Sequence, residues 1–155
     1  MPMKNKKKLL RRRLTSGKRK SSPPGGPIKS KIHNQISNIM RLMNAELSES
    51  LKKFPLYSQD GKKADAVVVA KYFFPATALT WYVTEGRQED DDYLFFGLVV
   101  GTDTSAEMGY FSLSQLSELN LCGLKVERDM FFKPKKLSEI CNRSVKEYIN
   151  HYFKD

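Results

Sequence analysis

Twelve lysine and arginine side chains fall in the first 31 residues, and no carboxylate stands among them. Lys4, Lys6, Lys7, Lys8, Arg11, Arg12, Arg13, Lys18, Arg19 and Lys20 form the densest part of the run. Cations at that density on a flexible segment neutralise phosphates and release condensed counterions, so they bind acidic polymers without a folded site. The chemistry this predicts is contact with nucleic acid or a ribonucleoprotein. If about 6 to 10 of these charges met phosphates, affinity would fall by about 10³ to 10⁵ between 50 and 200 mM salt. The rest of the chain carries fifteen cations against seventeen acids and predicts no general basic surface. An address tag or a solubility tail would use the same residues.

Elsewhere the chemistry is sparser. Glu85, Glu89, Asp90, Asp91, Asp92, Asp103 and Glu107 gather near expected strand ends, where carboxylates could share a divalent ion. Their spacing fits no cation loop, and a charged hairpin tip that discourages edge pairing explains them better. A nucleophile needs a base within reach, but the imidazoles are confined to His33 and His151, neither in a catalytic motif. Cys122 and Cys141, nineteen positions apart, suit neither a disulfide framework nor zinc, and read as free, partly buried thiols. No catalytic residue, metal ligand or cofactor is predicted. Glu127-Arg128-Asp129 places a cation between two acids in an extended stretch, and an ion pair from Arg128 to Glu85 or Glu107 is expected. Tyr82, Glu85 and Arg128 together are the predicted partner surface, with Tyr82 turned outward, the orientation that stacking on RNA bases requires.

The elements that must position these groups centre on residues 66–111. Ala66-Val67-Val68-Val69-Ala70-Lys71-Tyr72-Phe73-Phe74 is a strand-like run between Gly61 and Pro75, and Leu79 to Glu85 follows. Residues 86–92 are polar and rich in turn formers, the chain returns from Tyr93 to Val100, and Met108 to Phe111 completes a meander. Alternation puts Leu79, Trp81 and Val83 on one face and Thr80, Tyr82 and Thr84 on the other, the pattern of a sheet with one buried face. Ile32, Ile36, Ile39, Met40, Met43, Leu47 and Leu51 recur three and four apart, which draws an apolar stripe on a helix. Pro55 ends that helix, and Asn44 can cap a fresh turn within it. Ser112 and Gln115 have capping-box spacing, and Leu124 to Phe132 reads as extended. Leu137, Ile140, Cys141, Val145, Tyr148, Ile149 and Tyr152 mark a last helix with Cys141 on its apolar face. The prediction is an α+β protein: four to five antiparallel strands with an N-terminal and a C-terminal helix. Residues 1–31 form a disordered basic arm, and residues 32–155 a single domain. With no apolar run of membrane length and no signal peptide, a cytoplasmic protein without membrane contact is expected.

The series Tyr72-Phe73-Phe74-Pro75, Thr80-Trp81-Tyr82-Val83-Thr84-Glu85, Leu94-Phe95-Phe96-Gly97, Gly109-Tyr110-Phe111-Ser112-Leu113 and Glu127-Arg128-Asp129 with Phe132 and Pro134 resembles a known family. This is a bacterial domain of unknown function, found on plasmids and integrative elements, and the resemblance runs over residues 51–140. The basic arm and much of the first helix depart from the family pattern. The resemblance implies a mobile-element setting, where small accessory proteins modulate transfer, replication or host defence. The function expected is that of a non-enzymatic binding module contacting nucleic acid or a ribonucleoprotein through its arm. The alternatives are an inhibitor of a host protein such as a defence nuclease, with the arm as tag, and a metal-dependent hydrolase.

Overall fold

The computed structural model describes residues 28–154. The ten arm cations from Lys4 to Lys20 lie outside the described residues. The chain opens with α1 (Ile28–Leu42) and α2 (Ala45–Lys52). A long loop then leads to β1 (Val67–Val68), β2 (Ala70–Phe73), β3 (Thr80–Glu89), β4 (Asp92–Val100) and β5 (Ala106–Ser112). After α3 (Leu113–Glu118) come four two-residue strands, β6 (Asn120–Leu121), β7 (Leu124–Lys125), β8 (Glu127–Arg128) and β9 (Lys135–Lys136), and finally α4 (Arg143–Tyr152). Five strands make one antiparallel sheet in the order β5-β4-β3-β2-β8. The α+β class and the terminal helices follow the sequence expectation. None of the helices among the described residues is long and apolar enough to cross a membrane.

The sheet is buried on both faces, where alternation predicts one. Tyr72, Trp81, Val83, Phe95 and Phe111 pack with Leu42, Leu47, Leu51, Leu113 and Leu116, so α1, α2 and α3 cover the first face. On the second, Tyr82, Leu98 and Val100 meet Leu137, Ile140 and Val145, while Phe96 and Tyr110 meet Leu56. Thr80, Tyr82 and Thr84 are therefore 8%, 3% and 1% exposed rather than facing solvent. The physical reason is that the C-terminal segment and the loop after α2 fold back over a face too aromatic to leave wet.

A bulge in β3 couples the two layers. Val83 pairs with Gly97 but Glu85 pairs with Phe96, so Thr84 is the extra residue. The slip reverses the alternation and turns Glu85 toward the second face, while Gly86 comes to lie against Leu51 and Phe95. At Gly97 a Cβ would stand 1.9 Å from the Tyr82 carbonyl oxygen, so the close approach of β3 and β4 requires glycine there. Gln59 fills the gap beside the bulge: its Nε2 donates to the carbonyls of Val67 (2.8 Å) and Thr84 (2.6 Å), and its Oε1 accepts from Val67 N (2.6 Å). Glu85 accepts from the backbone N–H of Tyr57 (2.7 Å) and Gln59 (3.0 Å). Two buried polar side chains thus replace a strand partner for the loop.

Local signals are met closely. Asn44 Oδ1 accepts from Leu47 N at 2.9 Å and separates α1 from α2, and the Ser112–Gln115 capping box is present in full. Other expectations change. The first helix begins at Ile28, and only the lower part of its stripe is covered; Ile32, Ile36 and Met40 are 49%, 52% and 71% exposed. Residues 86–89, expected as turn, continue β3, because the reversal needs only Asp90 and Asp91, with Asp90 at φ 49°. Leu137 and Ile140 enter the core from a 3-10 turn, not from the last helix, which starts after Asn142. Cys141 and Cys122 are consequently exposed, the first ahead of that helix and the second in the tight turn between β6 and β7.

Gln59→Ala removes the side-chain partner of three backbone groups, the buried Thr84 carbonyl and the half-buried N–H and carbonyl of Val67, and a buried group left unpaired costs about 1–3 kcal/mol. A loss of at least about 2 kcal/mol in urea unfolding is expected; a loss under about 0.5 kcal/mol contradicts the stapling role. Burial raises the hydroxyl pKa of Tyr72, Tyr82 and Tyr110, and that of Tyr148 to about 12. The folded chain keeps these protons where the unfolded chain releases them, so their contribution is complete below pH 10 and is lost as pH rises toward 12. The urea midpoint should fall over that range, and fall less in Tyr148→Phe; a flat profile would exclude the linkage.

Candidate nucleic-acid interface

After β8 the chain makes a tight loop whose side-chain directions are fixed by one carboxylate. Asp129 N donates to the Lys71 carbonyl (2.9 Å), which continues the β2–β8 ladder by one bond. Asp129 Oδ1 then accepts from Phe131 N at 3.0 Å, and the Asp129 carbonyl accepts from Phe132 N at 3.3 Å. This local turn divides the aromatic pair. Phe132 packs against the second-face core, whereas Phe131 is 93% exposed and its neighbour Met130 is 64% exposed. Among the described residues no other large apolar side chain is as exposed as Phe131. A ring held in solvent by a defined turn is available for contact.

Lysines surround it. Pairing of β9 with β1, Lys135 opposite Val68 and Lys136 opposite Val67, fixes the basic segment after Pro134. Lys135 Nζ stands 5.5 Å from the centre of the Phe132 ring. Lys71, on β2 opposite Tyr82, projects from the second face, its Nζ 3.6 Å from Asp129 Oδ2. Lys71, Tyr82, Phe131, Lys133, Lys135 and Asn142 line one cleft of about 440 Å³, within the range of small-ligand sites. Burial raises the Tyr82 hydroxyl pKa, and the neighbouring Asn142 side chain partly offsets the rise. Three lysines against Asp129 leave the cleft net positive. Just outside it, Lys136 pairs with Asp65 at 2.9 Å, which raises the lysine pKa. Such a site can hold a phosphate oxygen by charge and a flat ring by stacking.

The predicted partner surface is dispersed by the fold. Tyr82 forms part of the cleft floor rather than an outward platform. Glu85 is fully buried under the loop after α2. Arg128 points to the first face, where Nη1 donates to Asn44 Oδ1 (3.0 Å) and Nε and Nη2 lie 3.3 and 3.1 Å from Met130 Sδ. Its partners are an amide and a thioether, not Glu85 or Glu107, since Glu85 belongs to the other face and Glu107 to the far edge strand. The sequence reading missed Phe131, Lys71, Lys133 and Lys135. An adjacent Met-Phe-Phe followed by Lys-Pro-Lys-Lys was the available signal, although only the fold brings Lys71 to it.

Other chemistry is not assembled. Asp92 of the acidic hairpin is engaged by Tyr93 N, Ser114 N and Ser114 Oγ (2.8, 3.0 and 2.6 Å), and Arg87 pairs with Glu89. Among the described residues no three His, Cys, Asp or Glu side chains are grouped to hold a metal ion. His33 and His151 sit on helices packed against opposite faces of the sheet. A second cleft, about 430 Å³ beside β5, is lined by Trp81, Gly109, Gln115 and Leu119 with Glu107 as its charged group, and does not suit an anion.

Fold and cleft together define a small α+β domain with a doubly covered sheet and a lysine-lined rim. The chain belongs to the family described as "Protein of unknown function (DUF2958)", whose model matches residues 42–146. That span starts at the end of α1, takes in all five strands of the main sheet and the cleft, and ends within α4. No curated protein and no solved structure matches the chain.

Proposed function

We propose that the chain is a non-enzymatic binding module, an accessory protein of a mobile element, that contacts nucleic acid alone or within a ribonucleoprotein. The observation that carries this reading is the segregation of charge. Twelve cations and no acid precede or begin α1, while the remainder is slightly acidic. Lys29 and Lys31 extend that run onto the exposed start of α1, a helix that contains no carboxylate. Positive charge confined to one end steers a polyanion to that end and leaves the rest of the surface free for other contacts. The mobile-element setting rests on family resemblance and not on geometry.

A second reading has one observation in its favour: Met130 and Phe131 together resemble the exposed anchors that proteins present to protein partners. On that reading the body inhibits a host protein and the arm is a tag. Binding of labelled, unrelated DNA and RNA to the full chain and to a chain lacking residues 1–27, across a salt series, separates the two. Nucleic-acid contact predicts that the deletion weakens binding by at least about tenfold and flattens the dependence of log K on log salt, since each phosphate contact contributes a slope of about −0.7 to −0.9. Equal affinity and equal slope without the arm would contradict it.

A further inference from the structure

We infer that the cleft between Lys71 and Asn142 is a single-strand site, taking a backbone phosphate among Lys71, Lys133 and Lys135 and one unpaired base on the ring of Phe131. This rests on the nucleic-acid reading above and specifies the form of nucleic acid and the residues that read it. The ring in question is that of Phe131. An aromatic ring 93% exposed gains nothing from the fold it belongs to, yet its direction is set by the Asp129 turn and by the burial of Phe132 next to it. Every nucleobase offers a flat face to such a ring, provided that the base is not already stacked within a duplex. Duplex bases are not available to it, so the geometry selects single strands.

The lysines supply the second half. Three ammonium groups share the cleft with one carboxylate, Asp129, which is itself engaged by Lys71 and by Phe131 N–H. Lys133 has no carboxylate of its own in the cleft, and Lys135 lies over the Phe132 ring, which leaves its charge open to an anion. Phosphate on the lysines and base on the ring is the pairing of backbone charge and stacking platform that single-strand binders use. The sheet faces cannot serve instead, because Tyr72, Tyr82, Phe95, Phe96 and Phe111 are all buried.

The test uses the full chain at about 200 mM salt, where the contribution of the arm is weakened. Fluorescein-labelled oligothymidine of about 12 nucleotides is compared with a duplex of the same length, for wild type, Phe131→Ala, Phe131→Trp and the double variant Lys133→Ala/Lys135→Ala. Since Phe131 is exposed, its replacement should leave the melting temperature unchanged, and this is checked first. The inference predicts that Phe131→Ala weakens single-strand binding by about tenfold while duplex binding moves less than about twofold, and that Phe131→Trp restores affinity. The lysine double variant should weaken single-strand binding by about tenfold or more. Wild-type affinity for single strands in Phe131→Ala would overturn the cleft assignment, release Phe131 to a protein partner, and leave the arm reading standing. Failure of the wild type to bind either probe, at low salt as well, would overturn both.

Discussion

β3 has protein on both sides along most of its length, and this double burial is the constraint on which the rest of the structure depends. A strand so placed cannot leave polar groups to water, so each irregularity in it must be answered from within the chain. The bulge at Thr84 is one such irregularity. Gln59 answers it with a hydrogen bond to the Thr84 carbonyl and joins it to β1 through two more with Val67, and Glu85, turned by the bulge to the second face, collects the loop through the N–H groups of Tyr57 and Gln59. A buried carboxylate with backbone donors costs less than a buried carboxylate alone, and it ties the loop of residues 53–66 to the sheet.

Double burial also decides where function can lie. With both faces covered, the aromatic residues of the sheet fill the core, and none of them stands out as an open stacking platform. Contact is left to the rim, where β2 and β8 end and the chain must turn. There Asp129 sets Phe131 outward and Phe132 inward, and pairing of Lys135 and Lys136 with Val68 and Val67 gives the basic segment a fixed position. The rim is thus ordered by the same sheet that excludes ligands from its faces. At the other end of the chain order, α1 is held by its last turns, where Leu42 is buried and its carbonyl accepts the Tyr72 hydroxyl at 2.8 Å.

What the sequence made legible was local. The Asn44 cap, the Ser112–Gln115 box and the central strands are each specified within a few residues by side-chain hydrogen bonding or by alternation. The five-stranded total was within reach because Glu127 and Arg128 read as extended, although their place beside β2 could not be read. What stayed hidden depends on residues far apart in sequence. Nothing near Thr84 announces a bulge, so Glu85 appeared to be a strand-end charge. Nothing near Tyr82 announces that residues 137–145 will cover it, so alternation made it appear exposed. The cleft needs Lys71 from β2 to meet Lys133 and Lys135 across about 60 positions, a juxtaposition that only the antiparallel registers supply.

The central claim is that a rigid, doubly covered sheet confines ligand contact to its cationic rim. Backbone amide NMR of the uniformly ¹⁵N-labelled full chain, titrated with a short single-stranded oligonucleotide, tests it most directly. The account predicts shifts confined to the basic leader, Lys71, Tyr82, residues 130–136 and Asn142, with the amides of residues 84–100 unmoved. Shifts concentrated along β3 and β4, with residues 130–136 silent, would contradict it.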